Sequence, residues 1–231
     1  FNKLKTKAEK LDRIVKILNL EHFLSRYPNS LSGGEKQLVA IGRTVLSEPK
    51  LILMDEPLAS LDSSKKEDVI FYIESLKENY DIPIIFVSHN LDEVVRLADM
   101  MVILENGKTV ATGSIHEIMS RLDAPNIVSK HERSTIIDTI LIGQDEKFSL
   151  SNLSLNNIII SIPMIMLPIG SKVRLRVLAS DVSLSYVKPK DNTILNSFKA
   201  KIIAFSEYHD TYVDVLLDIG TTLVARITRK S

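Results

Sequence analysis

Two stretches decide how this chain is read: Leu31-Ser32-Gly33-Gly34-Glu35-Lys36-Gln37, and Leu51-Ile52-Leu53-Met54-Asp55-Glu56 some fifteen residues later. The first places a glycine pair at the opening of a helix, where bare backbone N–H groups can meet phosphate oxygens. Its plainer reading is a helix N-cap at Ser32 behind a flexible turn. The second is a continuous apolar run ending in acid, the pattern of a strand covered on both faces. Such a strand delivers its carboxylates to the C-terminal sheet edge, where α/β folds keep their ligands.

Working outward, Lys3 to Leu20 carries Leu4, Leu11, Ile14, Val15 and Leu18 on one helical face. Glu21 to Asn29 reads as a short helix and a loop closed by Pro28-Asn29. A further helix is expected from Gly34 to about Ser47, ending at Glu48-Pro49. Three helices carry capping-box spacing: Ser64 with Glu67, Asn90 with Glu93, and Ser114 with Glu117. Ser60 and Ser63 are further cap candidates. Ile84 to Val87 reads as a second buried strand ending at Ser88-His89, and Asn106-Gly107 as a hairpin turn between Met100–Leu104 and Thr109–Thr112. Residues 31 to 112 thus alternate helix and strand, as in a parallel α/β sheet with an antiparallel edge.

After Pro125 the periodicity changes to short strands: 135–142, 157–162, 172–178, 199–205, 212–217 and 221–227. A small all-β domain with this spacing is expected to be an OB-like barrel. The expected domains are 1–125 and 126–231.

Composition narrows the function classes. Lys+Arg 29 against Asp+Glu 29 leaves a formal net charge of +0, so no overall field favours nucleic acid. With Cys 0, disulfides and thiolate metal sites are excluded. The most apolar segment, 158–169, is broken by Pro163 and Pro168 and falls short of the about 20 residues of a membrane helix. His22, His116, His131 and His209 show no metal-ligand spacing and read as surface or loop histidines.

In combination, Ser32-Gly33-Gly34, Asp55-Glu56-Pro57, Ala59-Ser60-Leu61-Asp62 and Val87-Ser88-His89 resemble the signature, Walker B, D-loop and H-loop of ABC transporter ATPases, over residues 1 to 122. The resemblance implies ATP and Mg²⁺ as cofactors and a homodimer as the working unit. It implies that Asp55 holds Mg²⁺, that Glu56 polarises the attacking water, and that His89 contacts the γ-phosphate. Ser32, Gly33, Gly34, Glu35, Gln37 and Asp62 would face nucleotide held by the other subunit. The phosphate-cradling G-x-x-x-x-G-K-[ST] pattern is absent. The family places it upstream of Phe1, so the chain is expected to be a fragment without ATPase activity of its own. The end after Ser231 is likewise expected to lack a closing strand. Leu38 departs from the family, which most often has Arg there.

The tail resembles the TOBE/Mop-like regulatory domain of bacterial import ATPases. Val177 to Leu184 and Thr193-Ile194-Leu195-Asn196 are similar to the junction between oxyanion-binding repeats in the ATP-binding subunits of molybdate ABC importers. That resemblance implies oxyanion contacts from Ser180, Asp181, Thr193 and Asn196, although Leu195 and Leu178 stand where the pattern often carries cations. It further implies ATP-driven import of molybdate or tungstate through transmembrane permease subunits at the cytoplasmic face of the bacterial inner membrane. An extracytoplasmic molybdate-binding protein would feed the permease, and nucleic acid plays no part. The rivals are import of another solute such as sulfate, and a non-catalytic oxyanion-sensing or structural module.

Overall fold

The computed structural model describes residues 2–59, 61–123, 133–187, 193–206 and 211–231. The chain divides into two compact units, Phe1–Ala98 and Asp99–Ser231. The boundary expected at Pro125 lies outside the described residues.

In the first unit, α1 (Asn2–Ile17) and α2 (Gly33–Leu46) precede strand β1 (Ile52–Asp55). They are followed by α3 (Ser63–Asn79), β2 (Ile84–Val87) and α4 (Leu91–Leu97). β1 and β2 pair in parallel, with Asp55 opposite Val87, so both chains leave the sheet at the same edge. The core gathers Ile14 and Leu18 from α1, Ile41 and Val45 from α2, Ile52 and Met54 from β1, and Val69 and Ile73 from α3.

Coverage on both faces was expected for these strands, and one face is covered. Ile52 and Met54 are buried, while Leu53 is 70% exposed and Ile85 52%. Among the described residues, the helices pack on the Ile52–Met54 side.

Leu58, with no exposed surface, pins the loop that leaves β1, and Leu61 is buried in the same core. Burying one such leucine contributes about 2 kcal/mol toward fixing the chain just beyond Glu56.

The caps differ from their sequence reading in two helices. Asp62, not Ser64, caps α3, its carboxylate accepting from Lys65 N–H at 3.0 Å. Ser60 lies outside the described residues. Asn90 caps α4 by accepting from Asp92 N–H at 2.9 Å, and Glu93 turns elsewhere.

In the second unit, β3 (Met100–Glu105) and β4 (Lys108–Ser114) form the expected hairpin. Asn106 and Gly107 both have positive φ (50° and 74°), as a type I′ turn requires. α5 (Ile115–Ser120) follows with its capping box between Ser114 and Glu117 in place.

The remaining strands are β5 (Ser134–Asp145), β6 (Leu150–Leu155), β7 (Ile158–Pro163), β8 (Lys172–Leu178), β9 (Lys201–Phe205), β10 (Tyr212–Asp218) and β11 (Thr222–Thr228). They form an antiparallel sheet β7-β6-β5-β8 and a second one β11-β10-β9. Leu141 and Leu153 from the first and Val215 and Leu217 from the second share one core. The Thr135 hydroxyl ties the sheets by accepting from Val224 N–H at 2.9 Å.

β6 is a strand the sequence reading missed. Leu150-Ser151-Asn152-Leu153-Ser154-Leu155 has polar residues at 151, 152 and 154, which breaks the strict alternation of a half-buried strand. Its buried Ser151 is satisfied only in three dimensions, its hydroxyl accepting from Ile165 N–H at 3.0 Å.

The deepest polar feature of this unit is also invisible locally. Asp214, with no exposed surface, accepts from Arg226 Nε and Nη2 at 2.7 and 3.0 Å and lies 2.9 Å from Arg133 Nε. Burial lowers the Arg133 pKa, against the attraction of Asp214.

Candidate functional site

β1 ends at Asp55, which is exposed, and the chain turns sharply at Glu56. Glu56 has φ 44°, a left-handed conformation that costs an ordinary residue about 1–2 kcal/mol. Strain of this kind persists only where surrounding contacts fix it. Here Glu56 N–H donates to Val87 O at 2.9 Å, extending the β1–β2 ladder, and Ala59 N–H donates to Glu56 O at 3.2 Å.

The result is a carboxylate aimed at the end of β2. Glu56 Oε1 accepts from His89 N–H at 3.0 Å and lies 2.8 Å from His89 Nδ1. The Glu56 side chain keeps 35% of its surface exposed and His89 keeps 81%. Both groups therefore retain room for a reacting molecule. Gln37, one turn into α2, shares a cavity of about 190 Å³ with Asp55, Met54 and Pro57.

A second group forms where α2 and α3 begin. Ser32 caps α2 in a reciprocal box: Glu35 N–H donates to its hydroxyl at 3.4 Å, and its own N–H donates to Glu35 Oε2 at 2.6 Å. The backbone hydrogen bond from Ser32 is the largest cause holding the Glu35 carboxyl below its ordinary range, with Arg26 assisting. The plainer sequence reading of Ser32 as a cap is therefore also satisfied.

Gly34 packs closely on α3. A Cβ there would sit 3.4 Å from Lys65 Cβ, at the near limit of ordinary contact. Lys65 Nζ pairs with Asp62 Oδ2 at 2.7 Å, and the hydrogen bond from Lys65 lowers the Asp62 pKa. Ser32, Gly33, Gly34, Glu35 and Asp62 are thus neighbours of one patch, through Leu61 and Lys65. Glu56 and His89 form the other patch, with Asp55 adjoining in sequence.

The tail residues are dispersed by comparison. Ser180 and Asp181 are exposed on a short helical turn, the Ser180 hydroxyl donating to Asp181 Oδ1 at 3.2 Å. Thr193 is exposed. Asn196 uses its amide as a piece of strand: Oδ1 accepts from Ser161 N–H and Nδ2 donates to Ser161 O, each at 2.8 Å.

Of the histidines, His22 is exposed and His116 is half-buried, its Nε2 3.0 Å from Asp138 Oδ2. His131 and His209 lie outside the described residues.

Three residues near His89 were given no part in the site by the sequence: Glu93, read only as a capping partner of Asn90, Ser88, read only within the stretch before His89, and Lys66. Ser88 Oγ donates to Glu93 Oε2 at 2.7 Å, and Lys66 Nζ donates to Glu93 Oε1 at 3.1 Å. One signal was available. Glu93 and the buried Leu97 lie four apart on one face of α4, so helical periodicity puts a carboxylate inside.

The donor set at the Glu56 end suits a hard, hydrated cation. Among the described residues no three His, Asp or Glu groups gather into a cage. A single carboxylate at Asp55 fits Mg²⁺, which keeps several waters and takes its other ligands from phosphate.

A family model described as ABC transporter matches residues 2–59. With the parallel strands, the strained carboxylate and the capped glycine pair, the first unit is similar to the mixed α/β domain of ABC transporter ATP-binding proteins, and a β-rich region follows it. In sequence the chain is similar to ModC proteins. It is 41% identical over 222 residues to "Molybdenum import ATP-binding protein ModC" of Aromatoleum aromaticum, covering 96% of this chain and 59% of that protein. The protein of the same name from Saccharophagus degradans is 42% identical over 227 residues, covering 96% and 62%. That of Mesorhizobium japonicum is 40% identical over 232 residues, covering 100% and 63%. The chain thus spans about 60% of the length of these relatives. Among the described residues, no helix is long and apolar enough to cross a membrane.

Proposed function

We propose that this chain belongs to the ATP-hydrolysing subunit of an ABC importer for molybdate, with tungstate as the related cargo. The observation that carries the catalytic part is Glu56, held at φ 44° with its carboxylate tied to His89. A scaffold that only dimerised would have no use for backbone strain at a half-exposed carboxylate. The cargo rests on the similarity to molybdenum import proteins over nearly the whole chain.

ATP and Mg²⁺ are the cofactors. Mg²⁺ when bound neutralises charge on the phosphates, and Asp55 would hold it through water. Glu56 accepts a proton-bearing hydrogen bond from the attacking water, with one carboxylate oxygen fixed by His89 and the other at liberty to do so. His89, positioned by the same contact, presents its exposed ring toward the phosphate. Ser32, Gly33, Gly34, Glu35, Gln37 and Asp62 face nucleotide across a homodimer, so hydrolysis requires two copies. Ser32, Gly33, Gly34, Glu35 and Asp62 cluster apart from Glu56 and His89, as such a division of labour needs, while Gln37 lies beside Asp55.

The dimer would couple to transmembrane permease subunits at the cytoplasmic face of the bacterial inner membrane, with an extracytoplasmic binding protein delivering the oxyanion. In the tail, which we read as a TOBE/Mop-like barrel, Ser180, Asp181 and Thr193 remain exposed for an oxyanion. Both Asn196 amide atoms are engaged, which favours a structural part for that residue.

The test is genetic. The full-length gene is deleted from its host, and cellular molybdenum is measured by mass spectrometry at limiting external molybdate. Restoration by the full gene and not by its Glu56→Gln form is expected. Unchanged molybdenum in the deletion strain would redirect the cargo to sulfate or another solute, and full restoration by Glu56→Gln would favour the non-catalytic reading.

A further inference from the structure

Glu93 carries a buried carboxylate that the proposed chemistry leaves unused. It is 6% exposed, and a buried carboxylate is costly unless both oxygens are engaged. Both are. Oε2 accepts from Ser88 Oγ at 2.7 Å and Oε1 from Lys66 Nζ at 3.1 Å.

These partners stand on either side of the site. Ser88 directly precedes His89, and its hydroxyl also accepts from Asn90 N–H at 3.0 Å, which fixes the turn between β2 and α4. Lys66 lies one helical turn from Asp62, Lys66 N–H donating to Asp62 O at 2.9 Å. From Asp62 the chain runs back through Leu61 N–H to Leu58 O (3.2 Å) and through Ala59 N–H to Glu56 O (3.2 Å). Glu56 then returns to His89. The contacts make a closed ring: Glu56, the loop to Asp62, Lys66, Glu93, Ser88 and His89.

We infer that Glu93 is a positioning residue for ATP hydrolysis: by clamping the Ser88–His89 turn to α3 it sets the His89–Glu56 contact. The inference rests on the catalytic reading of Glu56. It assigns Glu93 a part distinct from helix capping, since Asn90 caps α4 through Asp92 instead. Because the ring also contains Asp62, the same clamp joins the groups proposed to act within one subunit to those proposed to face the other.

The test uses the full-length protein assembled with its permease, with ATP hydrolysis followed across ATP concentrations. Glu93→Ala opens the ring on both sides. Lys66→Met opens it at a partly exposed position and guards against a Glu93 variant that fails to fold. Each variant is assayed well below its own unfolding midpoint. Both are expected to lower kcat about tenfold with KM for ATP within about twofold, the signature of lost transition-state geometry. The double variant is expected to be no worse than Glu93→Ala, because both cut one connection.

A kcat within twofold of the parent for both single variants would overturn the inference, as would a loss confined to KM. Glu56→Gln in the same preparation separates the two levels. If it abolishes hydrolysis while the ring variants do not, only the inference on Glu93 falls. If it leaves hydrolysis intact, the reading of the site falls with it.

Discussion

Two carboxylates, Glu56 in the first unit and Asp214 in the second, are treated in opposite ways. Asp214 is wholly buried, with both oxygens accepting from Arg226 and the Arg133 guanidinium alongside at 2.9 Å. Glu56 is half-exposed, sits on a strained backbone and has one oxygen engaged. A fully satisfied charge inside a core fixes structure and has no capacity left for chemistry. A carboxylate held at conformational cost with acceptor capacity to spare is arranged for a partner that comes and goes.

The sharpest way to break this contrast is to remove each group. Asp214→Ala leaves two arginines buried without their counter-charge, and should destabilise the chain by about 3–5 kcal/mol in denaturant unfolding. A loss under 1 kcal/mol would mean that water reaches the pair. Glu56→Gln should lower ATP hydrolysis of the assembled full-length protein by about 10²-fold or more. Its effect on stability should be small. An equal loss of stability from both changes would erase the distinction.

Backbone strain supplies a finer test at the same position. Glu56→Gly should be more stable than Glu56→Ala by about 1 kcal/mol, because glycine adopts positive φ without the Cβ clash. Elsewhere in helices or strands the order is reversed, so thermal unfolding of the two variants reads the strain directly.

Asn196→Ala extends the comparison to the tail. Loss of its paired contacts with Ser161 should cost about 1–2 kcal/mol, with molybdate binding by the tail, measured by calorimetry, unchanged. A loss of binding with stability intact would restore Asn196 to an oxyanion site.

The smallest effect concerns pH. Glu35 has its carboxyl lowered from the ordinary 4.5 by Ser32 N–H first, then by Arg26. A depressed folded pKa contributes stability that is present above the unfolded value and lost as pH falls through the folded one. Unfolding midpoints should therefore drop below about pH 4.5 more steeply in the parent than in Glu35→Gln. Parallel profiles would show the box to be open in solution.

Much of this was legible in the sequence because it depends on neighbours along the chain. The Asn106-Gly107 turn, the Ser114–Glu117 box, the end of β1 at Asp55-Glu56 and the helix behind Ser32 all follow from residues within four positions of one another. Local propensity and capping chemistry operate at that range.

The rest was decided at longer range. β6 became a strand because β5 and β7 supplied partners on both sides, against a serine-rich sequence. Glu93 left the cap for Lys66, 27 positions away, because α4 turns it inward and a buried carboxylate must find a donor. Asn196 found its partner 35 positions away, at Ser161. By itself, then, the sequence determined the order of helices and strands apart from β6, and singled out the motif residues Ser32, Gly33, Gly34, Asp55, Glu56, Asp62 and His89. Only the tertiary structure decided which polar groups are spent on one another and which stay free to act, because hydrogen-bond satisfaction in a buried site depends on residues that are remote along the chain.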